Sequence, residues 1–109
     1  MKIKEYIREN NSNPYEKWFN TLNSQAAAKV AVAIAKIELG NLSNIKWFDG
    51  IGEYRINWGP GYRIYLAQDG KELIILFGGG TKKMQSADIK KAKELHEEYK
   101  TQKKKKRGE

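Results

Sequence analysis

A chain of 109 residues makes one domain with a thin core, and 39% hydrophobic residues fill that core while excluding a membrane-embedded body. Cysteine is absent and histidine occurs once, which excludes a disulfide framework, a thiolate metal site and any centre built from several histidines. The formal charge is +8, but the run Lys103-Lys104-Lys105-Lys106-Arg107 alone carries five of those charges, so a polyanionic partner is indicated by the whole chain and only weakly by its body.

The segment Met1 to Glu9 is a charged mixture with no apolar stretch of signal-peptide type. Ala26 to Ala35, broken by Lys29, is about half of the ~20 residues that span a bilayer. A cytoplasmic protein without membrane contact is expected. Residues 1–102 read as the domain and 103–109 as a basic, disordered tail.

In chain order, residues 1–9 alternate as a strand, with Ile3 and Ile7 on one side. Asn13-Pro14-Tyr15-Glu16 predicts a helix start, with Asn13 as N-cap, Pro14 in the first position and Glu16 reaching back. Trp18, Phe19 and Leu22 belong to that helix. Ser24 is expected to cap a second helix, whose stripe is Ala27, Val30, Ala31, Ile34 and Ile37, with Gly40 closing it. So short a turn predicts an antiparallel helix hairpin.

Ile45 to Phe48 is open between strand and loop. Glu53 to Trp58 alternates, Tyr54, Ile56 and Trp58 facing the core and Glu53, Arg55 and Asn57 facing away. After the Gly59-Pro60-Gly61 turn, Tyr62 to Ala67 alternates again, with Arg63 and Tyr65 on the non-core face. Leu73 to Phe77 is apolar on both faces and reads as the central strand, ended by Gly78-Gly79-Gly80. Ser86 to Lys100 predicts a last helix that offers Ile89, Ala92, Leu95, His96 and Tyr99, with His96 a half-buried structural residue. The fold class is α+β. A small antiparallel-rich sheet, made of the N-terminal strand and a three-strand meander, packs with the helix hairpin and the C-terminal helix.

Familiar catalytic motifs are missing, and Gly78-Gly79-Gly80-Thr81-Lys82 lacks the Walker spacing. A basic and aromatic cluster remains. Arg55 and Arg63 lie on neighbouring strands, Tyr65 beside them, and Lys82 and Lys83 follow the central strand. An arginine fork matches a phosphate bidentately. A tyrosine offers a stacking face and a phenolic proton. A lysine crowded by like charge is moved toward general-base work. These are the parts for RNA cleavage without a metal, the ribose 2′-hydroxyl acting as nucleophile. On the residue pattern alone an ordinary solvated sheet face, with Arg55 pairing Glu53 or another acid, is the favoured reading, since charge on an exposed strand face is the norm.

Four ordered motifs carry a resemblance. Glu53-Tyr54-Arg55-Ile56, Gly59-Pro60-Gly61-Tyr62-Arg63-Ile64-Tyr65, Gly79-Gly80-Thr81-Lys82-Lys83-Met84-Gln85 and Asp88-Ile89-Lys90-Lys91-Ala92 resemble the HigB-like, phage-derived addiction module killer branch of the RelE/ParE toxin superfamily. Thr81 and Gly78 depart from the family pattern, and the lysine-rich tail is an addition to it. The resemblance implies a RelE-like fold and a toxin of a type II toxin–antitoxin pair, an mRNA endoribonuclease that needs no cofactor and works in many relatives on translating ribosomes. It implies a helix-turn-helix antitoxin as partner. By position it matches Arg55, Tyr62, Arg63, Tyr65, Lys82, Gln85 and Asp88; with the chemistry of the cluster, Arg55, Arg63, Tyr65 and Lys82 are expected to be catalytic, and Tyr62, Gln85 and the neighbouring Lys83 to bind RNA. Lys103 and Lys104 of the tail are added as electrostatic contacts to RNA. A poison of DNA gyrase without nuclease activity, as in ParE-type relatives, and an inactive toxin that only binds antitoxin remain the alternatives.

Overall fold

The computed structural model describes residues 1–108. Among them the elements run β1 (Lys2–Glu5), α1 (Pro14–Phe19), α2 (Ser24–Glu38), β2 (Ile45–Phe48), β3 (Ile51–Ile56), β4 (Tyr62–Asp69), β5 (Leu73–Thr81), a 3₁₀ turn (Lys82–Met84) and α3 (Gln85–Lys106). The class is α+β, as expected. The sheet is mixed, in the order β1-β5-β4-β3-β2. Residues 45–48 are a strand, so the meander has four strands instead of three, and β1 joins its far edge parallel to β5 with Ile3 opposite Ile74.

Helix α1 starts as its residues predict: the Asn13 side chain accepts from the Glu16 amide at 3.0 Å, and Pro14 holds the first turn. The cap of α2 is Asn23, whose side chain accepts from the Ala26 amide at 2.9 Å; Ser24 is already inside the helix. The buried stripe shifts accordingly to Ala26, Val30, Ala33 and Ile37, while Ala31 faces out. Each of these helices has the sheet as its main partner, α1 on β5 and α2 on β3.

The largest departure is that both sheet faces are covered. On one, Tyr15, Val30 and Ile37 meet Tyr54, Ile64, Leu66 and Ile74. On the other, Ala92 and Leu95 of α3 roof Tyr6, Ile51, Tyr65, Ala67, Ile75 and Phe77. The face expected to be polar is therefore a second core. Strand alternation alone misleads there, because Glu53, Arg63 and Tyr65 look outward-facing until a helix with its own apolar stripe covers them.

Strand β5 does not stop at Phe77. It runs through all three glycines to Thr81, and Phe77 forms a bulge opposite the Tyr65–Leu66 step. Two of the glycines leave room for side chains that rest on them. A Cβ on Gly79 would overlap the Trp18 ring from α1, and one on Gly80 would overlap the Asp88 carboxylate from α3. The glycine run that lacks the Walker spacing is thus the place where a helix closes down on each side of the sheet.

Candidate functional site

The strand registers build the site. Arg55 of β3 stands opposite Arg63 of β4, which stands opposite Gly80 of β5; in the next row Glu53 faces Tyr65. These residues share the face roofed by α3, at the end of the sheet where α3 begins. The basic cluster expected from the sequence does converge here, organised by a buried acid.

Glu53 is fully buried. Its Oε1 accepts from Arg55 Nε at 2.8 Å, and its Oε2 accepts from Gln85 Nε2 at 2.9 Å and from the Tyr65 hydroxyl at 3.2 Å. Arg63 Nε lies 3.9 Å from the same oxygen. Burial pushes the Glu53 carboxyl up, but the hydrogen bonds from Arg55, Gln85 and Tyr65 outweigh it and hold the group below its ordinary value. An ionised carboxylate thus sits in the sheet, satisfied on both oxygens, as a buried charge must be.

The two arginines differ. The Arg55 side chain keeps 43% of its exposure while it holds Glu53. Arg63 is 7% exposed; its Nη1 donates to the Gly61 carbonyl at 2.7 Å, and its Nε has no hydrogen-bond partner among the described residues. Lys82 is exposed at the same turn, its amide donating to the Pro60 carbonyl at 3.4 Å. Tyr62 is half-buried and stacks on Trp58 with ring centroids 6.2 Å apart, and Lys29 Nζ sits 5.6 Å above the Trp58 ring. This contact, on the α2 side of the sheet, was not readable from the sequence. Trp58 alternates as a core residue, and only the tertiary fold brings α2 to the end of β3.

Several expected roles change. Tyr65 is 1% exposed and cannot touch a substrate at the surface. Burial, then the neighbouring Glu53 charge, push its hydroxyl well above the ordinary tyrosine value, so it is a positioning residue for Glu53. Gln85, expected on RNA, spends its amide on Glu53. Lys83 is exposed on the 3₁₀ turn beside Lys82. Lys103 lies at the opposite end of the sheet, 2.7 Å from both Asp69 oxygens. Lys104 is exposed on the same stretch of α3, away from the arginines. The expected disordered tail is helical through Lys106, because Asp69 anchors Lys103, lysine is a good helix former and cations suit a helix C-terminus. Glu109 of that tail lies outside the described residues.

Asp88, in the first turns of α3, has one buried oxygen without a hydrogen-bond partner among the described residues, and burial pushes its carboxyl up. It lines a cavity of about 110 Å³ with Trp18, Phe77 and Gly79. His96 is half-buried against Phe77, ring centroids 5.6 Å apart, in the structural place expected for it.

A Haemophilus influenzae protein, described as uncharacterized, is 43% identical over 86 residues, which cover 77% of this chain and 87% of the relative. The chain belongs to that protein's family. No protein-family model matches the chain. The extent of the match takes in most of the sheet-and-helix body, and the relative's description carries no activity to set beside the geometry. Among the described residues, no helix is long and apolar enough to cross a membrane.

Proposed function

We propose that this protein is a HigB-like toxin of the RelE/ParE superfamily, a cytoplasmic endoribonuclease that cuts mRNA, with a helix-turn-helix antitoxin as its partner. The observation that carries the reading is the pair of arginines on neighbouring strands around one buried carboxylate, Arg55 hydrogen-bonded to it and Arg63 3.9 Å from it, beside an exposed lysine. A solvated face needs no buried acid to aim its arginines. A site that must gather charge on a phosphate does, because donors fixed in advance cost no reorganisation when the charge develops. The four sequence motifs fall on this cluster: Glu53 and Arg55, then Tyr62, Arg63 and Tyr65, then Lys82 and Gln85, then Asp88.

In this reading Arg55 and Arg63 hold the scissile phosphate. The substrate's 2′-oxygen bonds to phosphorus as the bond from phosphorus to the 5′-oxygen breaks, leaving a 2′,3′-cyclic phosphate. The 2′-hydroxyl loses its proton and the departing 5′-oxygen gains one, and Lys82 is the exposed group placed to handle protons. Tyr65 acts through Glu53. Tyr62, beside Trp58, offers an aromatic edge to a neighbouring base.

The test is cleavage of all-ribose RNA, in EDTA and with ribosomes supplied, beside the same strand carrying one 2′-deoxy position at the cut. Cutting of the ribose strand only, with a cyclic or 3′-phosphate end, is the expected result. Cutting through the deoxy position, or loss of all cutting in EDTA, overturns it.

A further inference from the structure

The pairing of β2 with β3 ends at Ile45 opposite Tyr54, so from Arg55 onward β3 is paired with β4 alone and its other edge carries no strand. Helix α2 passes over this uncovered edge. Between them lies an open groove of about 510 Å³, within the size range of small-ligand sites. The charged residues that line it are Lys29, Lys36 and Arg55, all cations, and no acid lines it among the described residues. Asn44 and Asn57 add side-chain amides. Asn57 is exposed, whereas Asn44 Nδ2 approaches the Tyr54 hydroxyl at 3.4 Å.

We infer that this groove binds the stretch of single-stranded RNA that flanks the scissile phosphate. The inference rests on the proposed ribonuclease reading and extends it. Arg55 joins the two places: it lines the groove, and its guanidinium holds Glu53 in the arginine pair. A strand seated on the pair therefore continues along the uncovered edge of β3. Lys29 and Lys36 are two helical turns apart, roughly 10 Å along the axis, and meet successive backbone phosphates. The carboxamide of Asn57 and the unpaired edge of β3 face the bases with donors and acceptors, the chemistry by which unstacked bases are read. Lys29, which lines the groove, is held over the Trp58 ring, and this restrains its charge. An acidic protein segment would satisfy the lysines, but continuity with the phosphate pair favours nucleic acid.

The experiment measures binding of a single-stranded RNA of roughly ten nucleotides, made uncleavable by 2′-deoxy substitution at the cut, as salt is varied. Lys29→Ala/Lys36→Ala should weaken binding and reduce the salt slope by about 1.4, at about 0.7 for each phosphate no longer neutralised. Lys4→Ala/Lys106→Ala removes equal charge at the far end of the molecule and should leave the slope unchanged. An unchanged slope in the first double variant, with RNA still bound, overturns the groove and spares the ribonuclease reading. Equal losses in both double variants also overturn it, since net charge alone would then explain the binding. Displacement of the RNA by poly-glutamate at matched charge assigns the groove to a protein and overturns it. No RNA binding by the unaltered chain overturns the groove, and the cleavage assay with ribosomes then decides the ribonuclease reading separately.

Discussion

Removing the Arg63 side chain should do two things at once. Its guanidinium braces the Gly61 carbonyl and sets a positive charge 3.9 Å from a buried carboxylate. On the proposed reading Arg63→Ala should abolish RNA cleavage, and it should also lower stability by on the order of 2 kcal/mol, a hydrogen bond from a charged group being removed inside the protein. From the sequence alone Arg63 looks dispensable to the fold, because strand alternation places it in solvent. Arg63→Lys separates the two effects. The charge stays and most of the stability with it, while the planar fork that grips a phosphate through two parallel bonds is gone. Urea midpoints and cleavage rates of the two variants check this, and a lysine variant that cuts like the unaltered chain would falsify the assignment. Glu53 was legible only as a partner for Arg55. That it organises four side chains from three elements depends on Gln85, which reaches it across 32 residues of sequence.

Among the elements, the strands of the meander and the cap of α1 were readable because alternation, turn residues and capping chemistry are local signals. The ends of β5 and α3 were not. Glycine and a lysine run are poor signals for continued structure, and what extends these elements comes from elsewhere: Trp18 and Asp88 lie on the glycines, and Asp69 anchors Lys103. Asp69 also accepts from the Tyr99 hydroxyl, and hydrogen bonds from Lys103 and then Tyr99 hold its carboxyl below the ordinary value. Asp69→Ala should therefore fray the last turns of α3 and leave the arginine pair in place. Amide hydrogen exchange should speed up several-fold at residues 103–106 and stay slow at Leu95. Unchanged exchange at 103–106 would show that lysine's own helix preference suffices.

At the scale of the whole molecule, the residue pattern predicts one core and an open polar face, whereas the protein has two cores with a sheet between them. The stripe of α3 was visible, but nothing local says which face of the sheet it covers. Burial of both faces makes the protein depend on carboxylates that tie elements together. Glu53 joins β3, β4 and α3; Asp69 joins β4 and α3; Glu98 joins α3 to Arg8 and Tyr6. All three are held below their ordinary values, and groups of that kind stabilise the fold above those values and lose the contribution as pH falls through the lowered ones. Stability should therefore decline as pH drops below about 4.5, the ordinary glutamate value. Asp88 works in the opposite sense. Its carboxyl is raised by burial, so its contribution is full below 3.8 and is lost as pH rises above that. Asp88→Asn should accordingly raise the urea midpoint at pH 7 and leave it unchanged at pH 3. A midpoint that is flat between pH 7 and pH 3 in the unaltered chain, or lowered at pH 7 by the asparagine, contradicts this account.

The parallel seat of β1 on β5 also has a consequence in time. Strand 2–5 has no neighbour until residues 73–76 exist, and the Tyr6 hydroxyl is bonded by Gln102. As the chain leaves the ribosome, its earliest strand must wait for some of its latest residues. The pocket around Glu53 waits as well, because Gln85 and the α3 roof emerge after every strand. A nascent chain stalled before residue 85 carries Glu53 and both arginines but lacks Gln85 and the α3 roof, so the carboxylate they share stays open to water.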